Sequence, residues 1–214
     1  MKHVPWSEED ARRNKYLNTV EGVFSPEEKV VMTEKLDGGN SAIIKDKVYA
    51  RSHSAEPDHN SFDYLKKKHS EELAEKIPEN IAIYGEYLHA KHSIKYTELP
   101  GYFVVFAVLN MEEEVWYSWE KTKEIANLHG LPHAPEIKKG HFHERTFKDE
   151  PEGTSEYGDT REGYVLRNTK EIPVGEYVEN AAKCVRNGHV QTEERHWRKG
   201  GSYEENELAE EVEK

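Results

Sequence analysis

A lysine followed by an aspartate and two glycines is the part of the sequence best suited to chemistry. The run Glu34-Lys35-Leu36-Asp37-Gly38-Gly39-Asn40 places this lysine at the end of an apolar segment. A lysine held in an apolar pocket near other cations gives up its proton more readily and becomes a nucleophile. Glycines have no side chain, so they let a phosphate approach the backbone closely. Taken alone, the run also fits an ordinary Asp-Gly hairpin turn beside a surface lysine.

Two glutamates further along the chain, Glu86 and Glu162, lie at positions where a carboxylate is expected to bind a cation or a ligand. Glu86 alternates with Tyr84 and Leu88 on one face of a predicted strand. A carboxylate among apolar neighbours is costly unless it is paired or binds a ligand. Glu162 heads another predicted strand, where a carboxylate suits a hard cation such as Mg²⁺ or Mn²⁺. The alternative interpretations are a salt bridge for Glu86 and an exposed strand start for Glu162.

These residues belong to an ordered set of segments that resembles the nucleotidyltransferase motifs of ATP-dependent polynucleotide ligases and mRNA capping enzymes. The segments are Lys35-x-Asp37-Gly38, Tyr49-Ala50-Arg51-Ser52, Tyr84-Gly85-Glu86-Tyr87, Tyr102-Phe103-Val104-Val105-Phe106, Glu162-Gly163-Tyr164-Val165-Leu166-Arg167 and Ala182-Lys183-Cys184-Val185-Arg186. Within that superfamily, the runs at 34–40, 84–94 and 185–197 resemble one branch of the small RNA ligases most closely.

The resemblance implies a minimal, single-domain form of an ATP-dependent RNA ligase with a ligase-type, ATP-grasp-like nucleotidyltransferase fold. Lys35 would attack the α-phosphate of ATP and carry AMP, and an RNA 3′-hydroxyl would then be joined to a 5′-phosphate. The implied cofactors are ATP and either Mg²⁺ or Mn²⁺. Three alternatives stay open: a GTP-dependent guanylyltransferase of the capping type, a DNA ligase, and a non-catalytic module that binds nucleotide or RNA.

The resemblance also implies roles for individual residues. Phe106 would stack on adenine, Glu86 would hold the ribose or a metal, and Glu162 would bind the metal. Lys183 would contact the α-phosphate. The other residues expected to contact the nucleotide are Glu34, Asp37, Gly38, Asn40, Arg51 and Arg186.

Two features depart from the family pattern. Many relatives carry a second lysine two positions after the one that matches Lys183, but this chain has Val185 there. Arg186 points to the opposite face of a regular strand, so it would need a bulge to take that place. About 28 residues follow Arg186, too few for the additional domain with which many ligases clamp nucleic acid. We therefore expect RNA ends, nicked or single-stranded, to be held weakly or with help from a partner protein.

Composition restricts the class of protein further. The net charge of −12 means that a polyanion would need a local basic cleft. The single cysteine, Cys184, excludes an internal disulfide, and no apolar run reaches membrane-spanning length. These features predict a cytoplasmic protein with no membrane partner. We assign residues 1–200 to the nucleotidyltransferase domain and residues 201–214 to an acidic tail. The composition of the tail predicts a solvated helix or a disordered end.

The order of the predicted elements favours an α+β domain with mainly antiparallel sheets and flanking helices, because strands and helices do not alternate regularly. The predicted strands are 30–35, 41–45, 48–52, 81–88, 102–109, 115–119, 163–167 and 176–186. Helices are predicted at 61–76 and 118–128, the second with Ser118 as its cap and Gly130 just past its end. Residues 132–160 are predicted to be mostly loop.

Overall fold

The computed structural model describes residues 23–50, 56–143, 153–177, 179–186 and 203–210, together with the backbone of residues 2–4. Its α+β architecture agrees with the prediction. The strands are β1 (Lys2–Val4), β2 (Lys29–Lys35), β3 (Gly39–Ile43), β4 (Val48–Ala50), β5 (Ile81–Tyr87), β6 (Phe103–Asn110), β7 (Val115–Trp116), β8 (Glu136–His141), β9 (Gly163–Asn168), β10 (Ile172–Pro173) and β11 (Ala181–Val185). The helices are α1 (Asp63–Lys68) and α2 (Trp119–Leu128).

These strands form two sheets. The first has five strands in the order β1-β11-β9-β2-β8, and the second has six in the order β10-β7-β6-β5-β3-β4. All the neighbouring strands pair antiparallel except β1 and β11, which run parallel. The chain passes from the first sheet to the second at the end of β2, immediately after Lys35. The predicted nucleophile therefore lies at the crossing between the two sheets.

Apolar side chains pack on both faces of each sheet. One cluster joins the sheets through Val31, Leu36, Leu88, Val104 and Trp119. Two further clusters cover the outer faces. Strand β2 contributes to both faces of its sheet, so five of its seven residues are buried in succession. Burial on both faces explains the apolar run Val30-Val31-Met32 in this strand, and the buried Thr33 and Glu34 follow it.

Helix α2 begins and ends where the sequence predicts. The Ser118 hydroxyl accepts a hydrogen bond from the Lys121 N–H at 3.2 Å, which satisfies one free donor of the first turn. Gly130 follows the end of the helix with φ +64°, a backbone conformation that favours glycine. The predicted helix at 61–76 is instead divided into a 3₁₀ turn (Asn60–Phe62), α1 and a π-helical turn (His69–Leu73).

The segment predicted to be mostly loop, 132–160, also contains β8, an edge strand paired with β2 that the sequence analysis did not predict. One prediction is wrong. Within the acidic tail, residues 203–210 form neither a solvated helix nor a disordered end: Glu205 pairs with Ala90 and Leu208 pairs with Leu99 in isolated β-bridges. The tail segment thus packs on the domain along the loop that follows β5.

Two strand boundaries also differ from the prediction. The strand predicted at 115–119 ends at Trp116, because Trp119 already begins α2. The strand predicted at 176–186 begins only at Ala181, after the 3₁₀ turn Val174–Glu176. Among the described residues, no helix has the length and apolar composition needed to span a membrane.

Candidate active site

Lys35 and Glu162 form an ion pair at the end of β2. The Lys35 Nζ donates a hydrogen bond to Oε2 of Glu162 at 2.5 Å. The Glu162 side chain is completely buried, whereas 18% of the Lys35 side chain is exposed. Strand register explains the contact, because Lys35 pairs with Gly163, the residue next to Glu162.

A close approach between β9 and β11 places Glu162 beside Lys35. A Cβ atom at Gly163 would lie 2.0 Å from the Cys184 carbonyl oxygen, so only glycine fits there without moving the backbone. The contact continues past β11, where the Arg186 N–H donates to the Glu162 carbonyl oxygen at 2.8 Å. The backbone of Glu162 is thereby held on both sides.

One wall of the cleft is a row of side chains across the first sheet. Thr33 on β2 pairs with Val165 on β9, which pairs with Lys183 on β11. All three residues line the cleft. Lys183 therefore occupies the same wall as Lys35, and its contact with the α-phosphate stays a prediction.

The opposite wall comes from the second sheet. Asn40 pairs with Glu86, which pairs with Val104, and all three line the cleft. The Gly38 N–H donates to Oε1 of Glu86 at 3.1 Å. Phe106 is the extra residue between the Gly85–Val105 and Tyr84–Ala107 pairs, where the register of β5 and β6 shifts. A bulge of this kind can turn a side chain out of the regular alternation and towards a site.

Between these walls lies a cleft of about 530 Å³. The residues predicted to bind nucleotide that line it are Glu34, Lys35, Asp37, Gly38, Asn40, Glu86, Phe106 and Lys183. A volume of this size lies within the range typical of small-ligand sites. The structure thus gathers most of the predicted residues around one cavity.

Burial sets the electrostatics of Glu86. Burial and, to a lesser extent, the negative charge of Glu162 raise the pKa of its carboxyl, which lies at about 7 instead of 4.5. The positive charge of Lys35 and the hydrogen bond from Gly38 act in the opposite direction. Glu86 therefore exchanges a proton near neutral pH, in a site that already contains a lysine and a second carboxylate.

Glu34 binds a neighbouring loop through its carboxylate. Its two oxygens accept hydrogen bonds from the Ser155 hydroxyl at 2.5 Å and from the Glu156 N–H at 3.0 Å. Burial raises the pKa of Glu34, and these hydrogen bonds partly offset the rise. Glu34 lines the cleft while its carboxylate organises the segment around Ser155; its contact with nucleotide stays a prediction.

Asp37 organises a second loop. Its Oδ2 accepts hydrogen bonds from the Ser93 and Ile94 N–H groups, at 2.8 and 2.9 Å, and from the Ser93 hydroxyl. Its own N–H donates to the Tyr96 hydroxyl at 2.8 Å. The carboxylate of Asp37 thus anchors the loop after β5, and its contact with nucleotide or metal stays a prediction.

Arg186 and Glu162 are not among the described residues that line the cleft, although Glu162 contacts Lys35, which does. The Nε–H of Arg186 is buried and has no hydrogen-bond acceptor among the described residues. Arg51 lies outside the described residues.

Sequence reasoning missed Arg167 and Tyr177, which both line the cleft. Arg167 is 2% exposed and donates hydrogen bonds to the carbonyl oxygens of Phe106 at 3.3 Å and Tyr117 at 2.8 Å. Burial lowers the pKa of its guanidinium group. Strand alternation from Val165 could have placed Arg167 on the cleft face. Tyr177 follows a short 3₁₀ turn, and no local pattern indicates its position.

A divalent metal fits this site only together with a phosphate ligand. Within the described ranges, no three His, Cys, Asp or Glu side chains are grouped as a metal site. Glu86 and Glu162 do provide two carboxylates close enough to influence each other's charge, beside Lys35. Mg²⁺ commonly binds through one or two carboxylates together with substrate phosphates and water, and these two residues match that pattern.

Solved structures share this arrangement of sheets. Variants of the Naegleria gruberi RNA ligase match the chain, one with ATP and Mn at a TM-score of 0.59 and 16% identity, covering 76% of this chain and 51% of that one. Another, with AMP and Mn, matches at a TM-score of 0.55 and 14% identity, covering 76% and 51%. The same ligase with PPi matches at a TM-score of 0.53 and 16% identity, covering 75% of this chain and 50% of that one. Identities this low show the fold alone, and the chain spans about half the length of these structures.

The fold and the cleft together define a nucleotidyltransferase domain of the ligase type. The family model for RNA ligase matches residues 28–185, from the start of β2 to the end of β11. The chain therefore belongs to the RNA ligase family. A comparison with curated proteins finds no match.

Proposed function

We propose that the protein is an ATP-dependent RNA ligase that carries AMP on Lys35 and joins RNA 3′-hydroxyl ends to 5′-phosphate ends. The observation that carries this proposal is the 2.5 Å ion pair that Glu162 makes with Lys35, which lines the same cleft as Glu86, Phe106 and Lys183. Family membership and the solved relatives with ATP, AMP and Mn support it.

In the first step, Lys35 takes AMP from ATP. The neutral amine at Nζ forms a bond to the α-phosphorus, the bond to the leaving oxygen breaks, and pyrophosphate departs. Glu162 Oε2 already accepts a hydrogen bond from Nζ, so it is placed to receive the proton that Nζ releases. Lys183 faces the same cleft and adds a positive charge that would favour the phosphates.

The other residues of the cleft position the nucleotide. Phe106 offers an aromatic face for adenine. Glu86 would hold the ribose or the metal, and Asn40, its partner across β3 and β5, would contact the phosphates or the ribose. A divalent cation held by Glu162 and Glu86 with the phosphates would neutralise charge at the reacting phosphorus. The polar groups and the cation would act mainly by orientation and charge, as phosphoryl transfer requires.

Two further steps complete the proposed reaction. The 5′-phosphate of an RNA strand attacks the AMP phosphorus, and the bond to Lys35 breaks. An RNA 3′-hydroxyl then attacks the activated 5′-phosphate, and AMP leaves. We propose that cytoplasmic RNA ends, nicked or single-stranded, are the substrate, and that a partner protein helps to hold them.

Intact-protein mass spectrometry tests the proposal. The protein is incubated with Mg²⁺ or Mn²⁺ and either ATP or GTP, then offered 5′-phosphorylated RNA with RNA or DNA 3′ ends. An AMP adduct that pyrophosphate removes, followed by joining of RNA ends, supports the proposal. A GMP adduct would instead indicate a capping-type guanylyltransferase, and preferential joining of DNA ends a DNA ligase. ATP binding without an adduct would indicate a binding module.

A further inference from the structure

The acidic tail segment, residues 203–210, is bound along the loop at 88–99 by backbone hydrogen bonds. The Lys91 N–H donates to the Glu204 carbonyl oxygen at 2.8 Å, and the Leu99 N–H donates to that of Glu207 at 3.0 Å. The Ala209 N–H donates back to the Leu99 carbonyl oxygen at 2.9 Å. The tail therefore pairs with the loop at both ends of the contact.

Asn206 is the centre of this contact. It is 2% exposed, and both atoms of its side-chain amide are used. The Nδ2 donates to the Leu88 carbonyl oxygen at 2.7 Å, and Oδ1 accepts from the Tyr96 N–H at 2.9 Å. The Asn206 N–H donates to the His89 carbonyl oxygen at 3.0 Å. Because an amide combines a donor and an acceptor, its side chain joins the beginning of the loop to Tyr96.

The opposite side of the same loop holds the active-site aspartate. Ser93 and Ile94 donate to Asp37, and the Tyr96 hydroxyl accepts from the Asp37 N–H at 2.8 Å. Tyr96 is fully buried and contacts Asn206 through its backbone and Asp37 through its phenol. A continuous chain of hydrogen bonds therefore runs from Asn206 through Tyr96 to Asp37, two residues from Lys35.

The charged contacts of the tail are of a different kind. Glu204 pairs with Lys91 at 2.7 Å and Glu207 pairs with Lys95 at 2.9 Å, but the two glutamate side chains are 57% and 63% exposed. Exposed ion pairs contribute little to stability, because water and salt screen them. The buried amide is therefore the group that fixes the loop.

We propose that Asn206 is a positioning residue for nucleotidyl transfer to Lys35. Asn206 fixes Tyr96 and the loop at 88–99, and these in turn hold Asp37. The position of Asp37 sets the direction in which the chain leaves β2. The inference rests on the proposed function, because it concerns the step in which Lys35 takes AMP. It gives the acidic tail segment a role in the active site that its sequence does not suggest.

The test measures single-turnover adduct formation as a function of ATP concentration. Asn206→Ala is expected to lower the rate at saturating ATP roughly tenfold or more, because small displacements of reacting groups are costly. The ATP concentration for half-maximal rate should change much less. The matched controls are Glu204→Gln and Glu207→Gln, which remove exposed charges from the same segment and should retain the wild-type rate. A merely structural role would lower the melting temperature and leave the rate per folded molecule unchanged, which would overturn the inference.

Tyr96→Phe provides a second variant in case Asn206→Ala does not fold. It keeps the backbone bond to Asn206 and removes only the acceptor for the Asp37 N–H. The inference requires the same loss of rate at saturating ATP, and a wild-type rate would overturn it. Failure of the proposed function gives a distinct result, because the wild-type protein would then form no adduct with ATP.

Discussion

The amine of Lys35 and the carboxylate of Glu162 lie 2.5 Å apart although 127 positions separate the two residues in the chain. The contact depends on the antiparallel register of β2 and β9 and on the narrow approach of β9 to β11 at Gly163. Under the proposed function, this pair would unite the nucleophile with a proton acceptor and metal ligand. Several consequences can be measured.

Glu162→Gln should impair both adduct formation and stability. The substitution leaves the Lys35 cation without its negative partner, and loss of one partner from a fully buried pair costs about 3–5 kcal/mol. Since 18% of the Lys35 side chain is exposed, we expect a smaller loss, about 1–3 kcal/mol in the free energy of unfolding. Urea denaturation measures it. The double variant Lys35→Met, Glu162→Gln should lose less than the sum of the single variants, and strict additivity would contradict the pairing.

Glu86 should make stability depend on pH. Its pKa is raised from 4.5 to about 7, so the folded protein keeps a proton that the unfolded chain has lost between these values. The stabilising contribution is complete below pH 4.5 and is lost as the pH rises through about 7. The loss amounts to about 3 kcal/mol. Glu86→Gln, which imitates the protonated form, should not lose this stability as the pH rises. A constant difference in stability between wild type and variant across this range would contradict the prediction.

The affinity of the site for a divalent metal should depend on whether the Glu86 carboxyl is protonated. A carboxylate must be ionised to bind a cation, so the apparent affinity for Mn²⁺ should weaken about tenfold for each pH unit below 7. The measurement is the rate of adduct formation against Mn²⁺ concentration at several pH values. Glu86→Gln should bind Mn²⁺ weakly at every pH, and a wild-type pH profile in this variant would assign the proton to another group.

Phe106→Leu should weaken ATP binding without unfolding the protein. Leucine keeps an apolar side chain at the bulge but has no aromatic face, and stacking on a base contributes about 1–3 kcal/mol. We therefore expect a rise of about tenfold or more in the ATP concentration at half-maximal rate. Phe106→Tyr, which keeps the ring, is the matched control. Equal ATP affinity in wild type and Phe106→Leu would exclude stacking.

Gly163→Ala should be strongly destabilising. The Cβ of the new alanine would lie 2.0 Å from the Cys184 carbonyl oxygen, so β9 and β11 would have to separate beside Glu162. A loss of about 2–4 kcal/mol in the free energy of unfolding is expected. Gly140→Ala on β8 is the control, because a Cβ there meets no atom within 4 Å. Similar melting temperatures for the two variants would show that the close approach is not required.

Local signals in the sequence were sufficient for several elements and for the motif residues. Helix α2 has a cap and a terminating glycine within its own sequence, and β2 has a continuous apolar run. The motifs that contain Lys35, Glu86, Phe106 and Lys183 were recognisable through their order, and the fold brings these residues to one cleft. Their chemical roles remain predictions.

Elements that depend on distant partners were not predictable in this way. Strand β8 is polar, with only Ile137 packed against a core cluster, because it is an edge strand held by β2 and by ion pairs to α2. The tail segment is rich in glutamate, and its buried position depends on Asn206 fitting a loop more than 100 residues earlier. The carboxylate of Asp37 likewise binds residues 93 and 94, which no local pattern connects to it.

Peptide mapping of the adduct by tandem mass spectrometry tests the central claim most directly. After incubation with ATP and Mn²⁺, the predicted result is a single added AMP on Lys35, absent in Lys35→Ala and present in Lys29→Ala, which alters an exposed lysine of the same strand. An AMP on any other residue, or an adduct that persists in Lys35→Ala, would contradict the account.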